Sequence, residues 1–172
     1  MSARAIASAP SRTRVRQVLV FAGIFCLLQL TWQALGDTFV HRLIVDRATV
    51  GAAVLLVNTL TPAVHALAAG TAVHAAGGGL NIVNGCEGTE TWFLLCAAFA
   101  VAPLGWRARL TGWLCGSVLV FAVNQLRVLA LFYTHRNDPE LFNLLHALVG
   151  PIAVVLAVAY FFYLWMAHHA AR

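Results

Sequence analysis

Lysine is absent from the 172-residue sequence, so all 11 of its basic residues are arginine, and acidic residues number only six. Charged residues make up 10% of the chain and hydrophobic ones 61%, whereas roughly a quarter of an ordinary soluble domain is charged. With so few charges to cover a surface, the chain has to use lipid as part of its solvent, which excludes most soluble enzyme folds. The net charge of +5 does not point to nucleic acid. Arg4, Arg12, Arg14 and Arg16 precede the first apolar run, and Arg107 and Arg109 lie between two others, the positions at which arginine sets membrane topology. A disulfide framework is also missing. Cys26, Cys96 and Cys115 sit inside apolar runs as small hydrophobes, and only Cys86 has polar neighbours. There is no internal repeat, and the one biased tract is the Ala/Gly-rich stretch from Ala66 to Gly79.

What is abundant is long apolar sequence. Val18 to Gly36 is uncharged and, at ~1.5 Å per residue, about long enough to cross a ~30 Å hydrocarbon core. It has no A-x-A-like cleavage site directly after it and is read as retained rather than as a signal peptide. Further spans are expected from about Cys86 to Gly105, from Leu110 to Tyr133, and from about Pro139 to Met166. The turn with Arg107 and Arg109 belongs inside and the turn with Asp138 outside. Cys86 and Gly36 then both lie outside, so the segment between them crosses an even number of times. Ala48 to Cys86 carries no formal charge, and Val50 to Ala69 is hydropathic enough to span. A re-entrant or interfacial helix, broken at Thr61-Pro62 and followed by Gly77-Gly78-Gly79, satisfies the parity. All six acids (Asp37, Asp46, Glu87, Glu90, Asp138, Glu140) then fall outside, while Arg4, Arg12, Arg14, Arg16, Arg107, Arg109 and Arg172 fall inside. The expected fold is an all-α membrane protein, a polytopic helical bundle of about four transmembrane helices plus that one segment. Residues 1–17 form a cytoplasmic basic N-terminus, 18–166 one integral-membrane domain and 167–172 a cytoplasmic tail.

Three residues look chemical. Cys86 stands in Asn84-Gly85-Cys86-Glu87-Gly88 where a span begins. Asn84 as N-cap with Glu87 three residues later resembles a capping box, which would put Cys86 in the first helical turn, where the dipole favours the thiolate. Glu87 and Glu90 act against that, while Gly85 and Gly88 let another backbone approach the sulfur. Arg127 lies inside an apolar run, at a cost of at least ~2.5–3.5 kcal/mol on insertion scales. It either snorkels to the headgroups, since Tyr133 is six residues away, or turns with Asn124 at i−3 into the bundle. His146 follows Pro139 by seven residues, with Asp138 as N-cap and Pro139 opening the last helix. It lies about 10 Å deep, in register with Arg127, and Gly150 at i+4 leaves room on the same face. A membrane histidine is usually a helix–helix hydrogen bond, the role expected of His65, His74, His168 and His169.

Three helices thus bring a thiol, a cation and a proton-transfer group to one leaflet, a set suited to acyl transfer. Metal binding is disfavoured, because no second histidine stands at ligand spacing near Cys86, and no cofactor is called for. In this order and spacing, Gly85-Cys86-Glu87-Gly88, Asn124-Gln125-Leu126-Arg127 and His146 with Gly150 resemble the exosortase/archaeosortase family of integral-membrane cysteine transpeptidases, over roughly Ala48 to Trp165. Gly-Cys-x-Gly with Glu90 two residues on, and Pro103 to Trp106, look most like the compact exosortase H type; Thr89 departs from the usual apolar residue. The resemblance implies Cys86, Arg127 and His146 as catalytic residues, with Asn124, Gly85, Gly88, Glu87 and Glu90 in support. It implies a bacterial plasma-membrane enzyme with its site on the periplasmic or extracellular side. Its substrates would be exported proteins ending in a sorting motif, a transmembrane helix and a basic tail, cleaved through a thioacyl intermediate that a surface acceptor resolves. A small transporter or channel subunit, with Arg127 and His146 lining an ion path, is the alternative from another class, and a non-catalytic assembly factor is a third. Gly112 and Gly116 form a G-x-x-x-G pattern for close helix packing, and Trp92, Trp106 and Trp165 suit interfacial belts.

Overall fold

A computed structural model of the chain describes residues 12–36, 38–82 and 86–170. Arg4, Asp37, Asn84, Gly85 and Arg172 lie outside the described residues. Among the described residues, five helices and a small sheet make up the fold. Helix α1 spans Arg12–Ala34 and α2 Phe39–Leu60. The strands are β1 (Leu67–Ala69), β2 (Ala72–His74) and β3 (Leu80–Asn81). Then come α3 (Thr89–Val101), α4 (Trp106–Asn137) and α5 (Pro139–His169). Helices α1, α2, α4 and α5 are long and apolar enough to cross a membrane, so the all-α polytopic class holds.

The membership of that set differs from the expected one. Helix α2 is 22 residues long where a re-entrant segment is expected, while the run from Cys86 to Gly105 yields only the 13 residues of α3. At ~1.5 Å per residue α3 covers about 20 Å, short of a hydrocarbon core. Gly88, left-handed at φ 81°, caps its start, and Ala102 leaves it in extended backbone before Pro103. The helix that was to begin at Asn84 therefore begins at Thr89, and Cys86 and Glu87 lie in the bend before it.

Contacts settle how the helices run. Gln17, Val18 and Phe21 of α1 share a cleft with Val101 and Ala102, whereas Trp32 near the other end of α1 meets Glu87 and Phe93. His41 of α2 lies against Trp32, Gln125 Nε2 donates to the Thr49 carbonyl at 3.3 Å, and Thr61 Oγ1 bonds the Tyr133 hydroxyl at 2.8 Å. So α1 and α2 climb in the same sense as α4, in two steps joined by a short turn. The chain does not reverse direction between α1 and α2.

Pro62 stops α2, since it disfavours helical backbone at Thr61, and a 3₁₀ turn leads to the sheet. The sheet is antiparallel in the order β1-β2-β3. Asn58 clamps it to α2, its amide donating to the Ala66 carbonyl at 2.9 Å and accepting from the Ala66 N–H at 2.7 Å. Val73, Leu80 and Ile82 pack with Val57 of α2 and with Val128 and Phe132 of α4 into one core cluster that includes Cys86. A second cluster joins α3, α4 and α5 nearer the Arg107 end. There the G-x-x-x-G pair admits side chains rather than backbone. A methyl on Gly112 would stand 2.5 Å from Trp165 Nε1 and 2.6 Å from Phe99, and one on Gly116 would stand 2.7 Å from Leu95. Trp92 also departs from the belt reading, because its indole donates to Ser117 Oγ at 2.8 Å and packs on Trp113 between helices.

Candidate active site

The site forms where the bend before α3 meets the second half of α4 and the first half of α5. Helix α5 starts as the sequence indicates, with the Asp138 carboxylate accepting from the Leu141 N–H at 3.0 Å and Pro139 in the first turn. Its hydrogen bonding widens to a π-turn over Leu145–Val149, next to Gly150 and Pro151. Pro151 has no N–H to offer, and a π-bulge absorbs such a break, frequently at functional sites. His146 stands in this bulge. Phe142, one turn earlier, stacks on its imidazole at 5.5 Å and 10° and meets His135 of α4 on another edge, which fixes the plane of the ring.

Cys86, Arg127 and His146 are brought together. Cys86 Sγ is 3.7 Å from His146 Nδ1, and Arg127 Nη2 donates to Sγ at 3.8 Å. The sulfur is buried, with Cys86 5% exposed. Asn124 Nδ2 donates to the Cys86 carbonyl at 3.0 Å, so Asn124 and Arg127, one turn apart on α4, grip the same residue by its backbone and its side chain. Gly150 makes room for this, because a methyl there would lie 2.9 Å from Arg127 Nε and 2.5 Å from the Leu145 carbonyl. Burial pushes the Cys86 thiol up from its ordinary value; Arg127 draws it down, and Glu87 and Glu90 push it up. A thiol in such surroundings needs a neighbouring base before it can act as a nucleophile. His146 Nδ1 is the ring nitrogen within hydrogen-bond reach of the sulfur.

The supporting residues divide. Gly85 lies outside the described residues. Gly88 approaches a side chain rather than a backbone: a Cβ on it would stand 2.8 Å from Asn124 Cγ. Glu87 does not close a capping box. Its Oε1 accepts from Trp32 Nε1 at 3.1 Å and from Thr89 Oγ1 at 3.3 Å, which gives Thr89, the residue out of pattern, a polar task. Glu90 is exposed, and its charge reaches Cys86. His65, His74, His168 and His169 lie away from the site, and His169 pairs with the Trp165 carbonyl. The residues that sequence reasoning missed are Phe142 and Trp32. Phe142 has a local signal, an aromatic four residues before His146 on the same helix face; Trp32 has none, since its partner is 55 positions away.

Gly88→Ala is expected to be severe. A residue with a Cβ pays about 1–2 kcal/mol for left-handed backbone, and the new methyl would push Asn124 off the Cys86 carbonyl. A loss of substrate processing of roughly 10-fold or more, at a thermal midpoint in detergent lowered by a few degrees, is the expected result. Wild-type processing would contradict it.

No match was found among curated proteins or among solved structures. The model of one family, the transmembrane exosortases, matches residues 47–164, more than half the sequence, and that stretch contains Cys86, Asn124, Arg127 and His146. The chain belongs to the transmembrane exosortase family.

Proposed function

We propose that the chain is a cysteine protease and transpeptidase of the plasma membrane that cleaves the C-terminal sorting signal of exported proteins at the outer face. The observation that carries this reading is the meeting of a buried thiol with an imidazole nitrogen at 3.7 Å and a guanidinium nitrogen at 3.8 Å. His146 takes the thiol proton and the Cys86 sulfur attacks the scissile carbonyl. The tetrahedral intermediate collapses with loss of the amine, which leaves carrying the proton from His146, and a thioester remains on Cys86. A surface acceptor, an amine or another nucleophile, then attacks the thioester and restores the thiol. Arg127 faces the sulfur, where the developing oxyanion would form beside it. Family membership supports a sorting role in general. The outer face is supported by charge: Arg107 and Arg109 open α4, while Asp138 and Glu140 follow its far end, nearer to Cys86.

Labelling of intact cells with a membrane-impermeant maleimide, wild type against Cys86→Ser, tests reactivity and sidedness together. Labelling that Cys86→Ser removes is expected. Labelling of Cys86 only after permeabilisation would put the thiol on the cytoplasmic side, where it could not meet an exported substrate, and would favour the ion-path reading of Arg127 and His146.

A further inference from the structure

The family match begins at residue 47, so α1 stands outside it, yet α1 reaches the bend that holds the nucleophile. Trp32 Nε1 donates to Glu87 Oε1 at 3.1 Å. Glu87 is 8% exposed and is joined by a peptide bond to Cys86. The indole is itself fixed, with its ring 4.9 Å from His41 and edge-on to Phe93 at 6.1 Å. On this side the bend borders a cavity of about 420 Å³, walled by mostly apolar residues of α1, α2, α3 and α4 and reached by Glu87, Gly88 and Thr89. Cys86 does not line it. The sulfur instead meets Arg127 of α4 and His146 of α5. On the cavity side the bend is held by the Trp32–Glu87 bond together with the Thr89 hydroxyl.

We infer that Trp32 is a positioning residue for the proposed reaction: by holding Glu87 from behind, it keeps the Cys86 sulfur between His146 and Arg127. The inference rests on the reading of Cys86 as nucleophile. A buried carboxylate is tolerated only while hydrogen bonds satisfy it. Without the indole N–H, Glu87 keeps one hydroxyl donor among the described residues and must turn toward water or another donor. Since Cys86 is its neighbour in the chain, that turn moves the sulfur, and a displacement of about 1 Å at a reacting centre can cost on the order of 100-fold.

Trp32→Phe keeps the ring and removes the N–H. The assay uses the full chain in proteoliposomes and an exported reporter with a C-terminal transmembrane helix and basic tail that the wild type cleaves. Expected for Trp32→Phe is a fall in kcat of about 10-fold with KM changed less than about 2-fold. In a Glu87→Ala background the same substitution is expected to add nothing, because two residues acting through one bond are coupled. Glu87→Gln, which still offers an oxygen to the indole, is expected to lose less than Glu87→Ala. A Trp32 that merely packs would give the same loss in both backgrounds, and that result, or wild-type kcat for Trp32→Phe, would overturn the inference. Cys86→Ala in the same assay separates the two readings. If it still cleaves, the nucleophile reading falls and takes the inference with it; if it is inactive while Trp32→Phe is wild type, the inference falls alone.

Discussion

Cys86→Ala is expected to abolish processing, by about 10⁴-fold or more, the scale on which removing a covalent nucleophile acts when the rest of a site is left in place. Cys26→Ala, Cys96→Ala and Cys115→Ala are expected to leave it intact. The difference follows from surroundings, since all four are free thiols. Cys26 and Cys115 are exposed on apolar helices, and Cys96 accepts from the Trp113 indole at 3.0 Å, so its loss costs a packing contact between helices. Among the described residues, only Cys86 has an imidazole and a guanidinium within 4 Å of its sulfur. Because burial holds its proton on, His146→Ala is expected to follow Cys86→Ala closely, the thiol being a poor nucleophile without a base. Pulse-chase of an exported reporter, comparing uncleaved and cleaved forms, reads both. Cleaved product from Cys86→Ala would sink the covalent mechanism.

Where apolar length and turn chemistry agree, the fold is legible in the sequence. The runs that become α1, α4 and α5, the stop at Thr61-Pro62 and the Asp138-Pro139 start are all local, and each appears where local physics puts it. The identity of the fourth crossing-length helix is not local. Arg42, Asp46 and Arg47 interrupt the hydropathy of α2, and nothing in that stretch announces that His41 will lie on Trp32 or that Gln125 will bond Thr49. Conversely, Cys86 to Gly105 reads as one apolar run, and its shortness is decided by Gly88 adopting φ 81° against Asn124. The sheet leaves no trace either. Strands of two or three residues in Ala- and Gly-rich sequence are too short to show alternation; what forms them is the Asn58 clamp and the core face of α4.

The site follows the same division. Helical rise alone puts Arg127 and His146 at one depth, because both are counted from the same turn between α4 and α5. The glycine at i+4 from His146 does leave space, and Arg127 fills it. Glu87 was legible as a polar residue beside Cys86 but not in its role, since a backbone cap is a local motif and a bond to Trp32 is a tertiary one.

Arg127 separates the chemical reading from its rival most sharply. Arg127→Ala is expected to lower kcat on the order of 10²- to 10³-fold, the usual effect of removing one donor from an oxyanion site, and Arg127→Lys is expected to recover little of it. The ammonium keeps the charge but not the planar fork of donors, and the fork is seated: its Nε and Cδ occupy the space that Gly150 leaves, at 2.9 and 3.2 Å from where a Cβ would be. The two roles of the cation can be told apart with a small reagent. The charge of Arg127 favours the Cys86 thiolate, so alkylation of Cys86 by iodoacetamide should slow in Arg127→Ala and stay within about 3-fold of wild type in Arg127→Lys. Processing lost in Arg127→Lys while alkylation is retained would assign the guanidinium to the reacting carbonyl rather than to the sulfur. Processing retained in Arg127→Lys would mean that charge alone suffices, as it would for a residue lining an ion path. The oxyanion role would then be withdrawn.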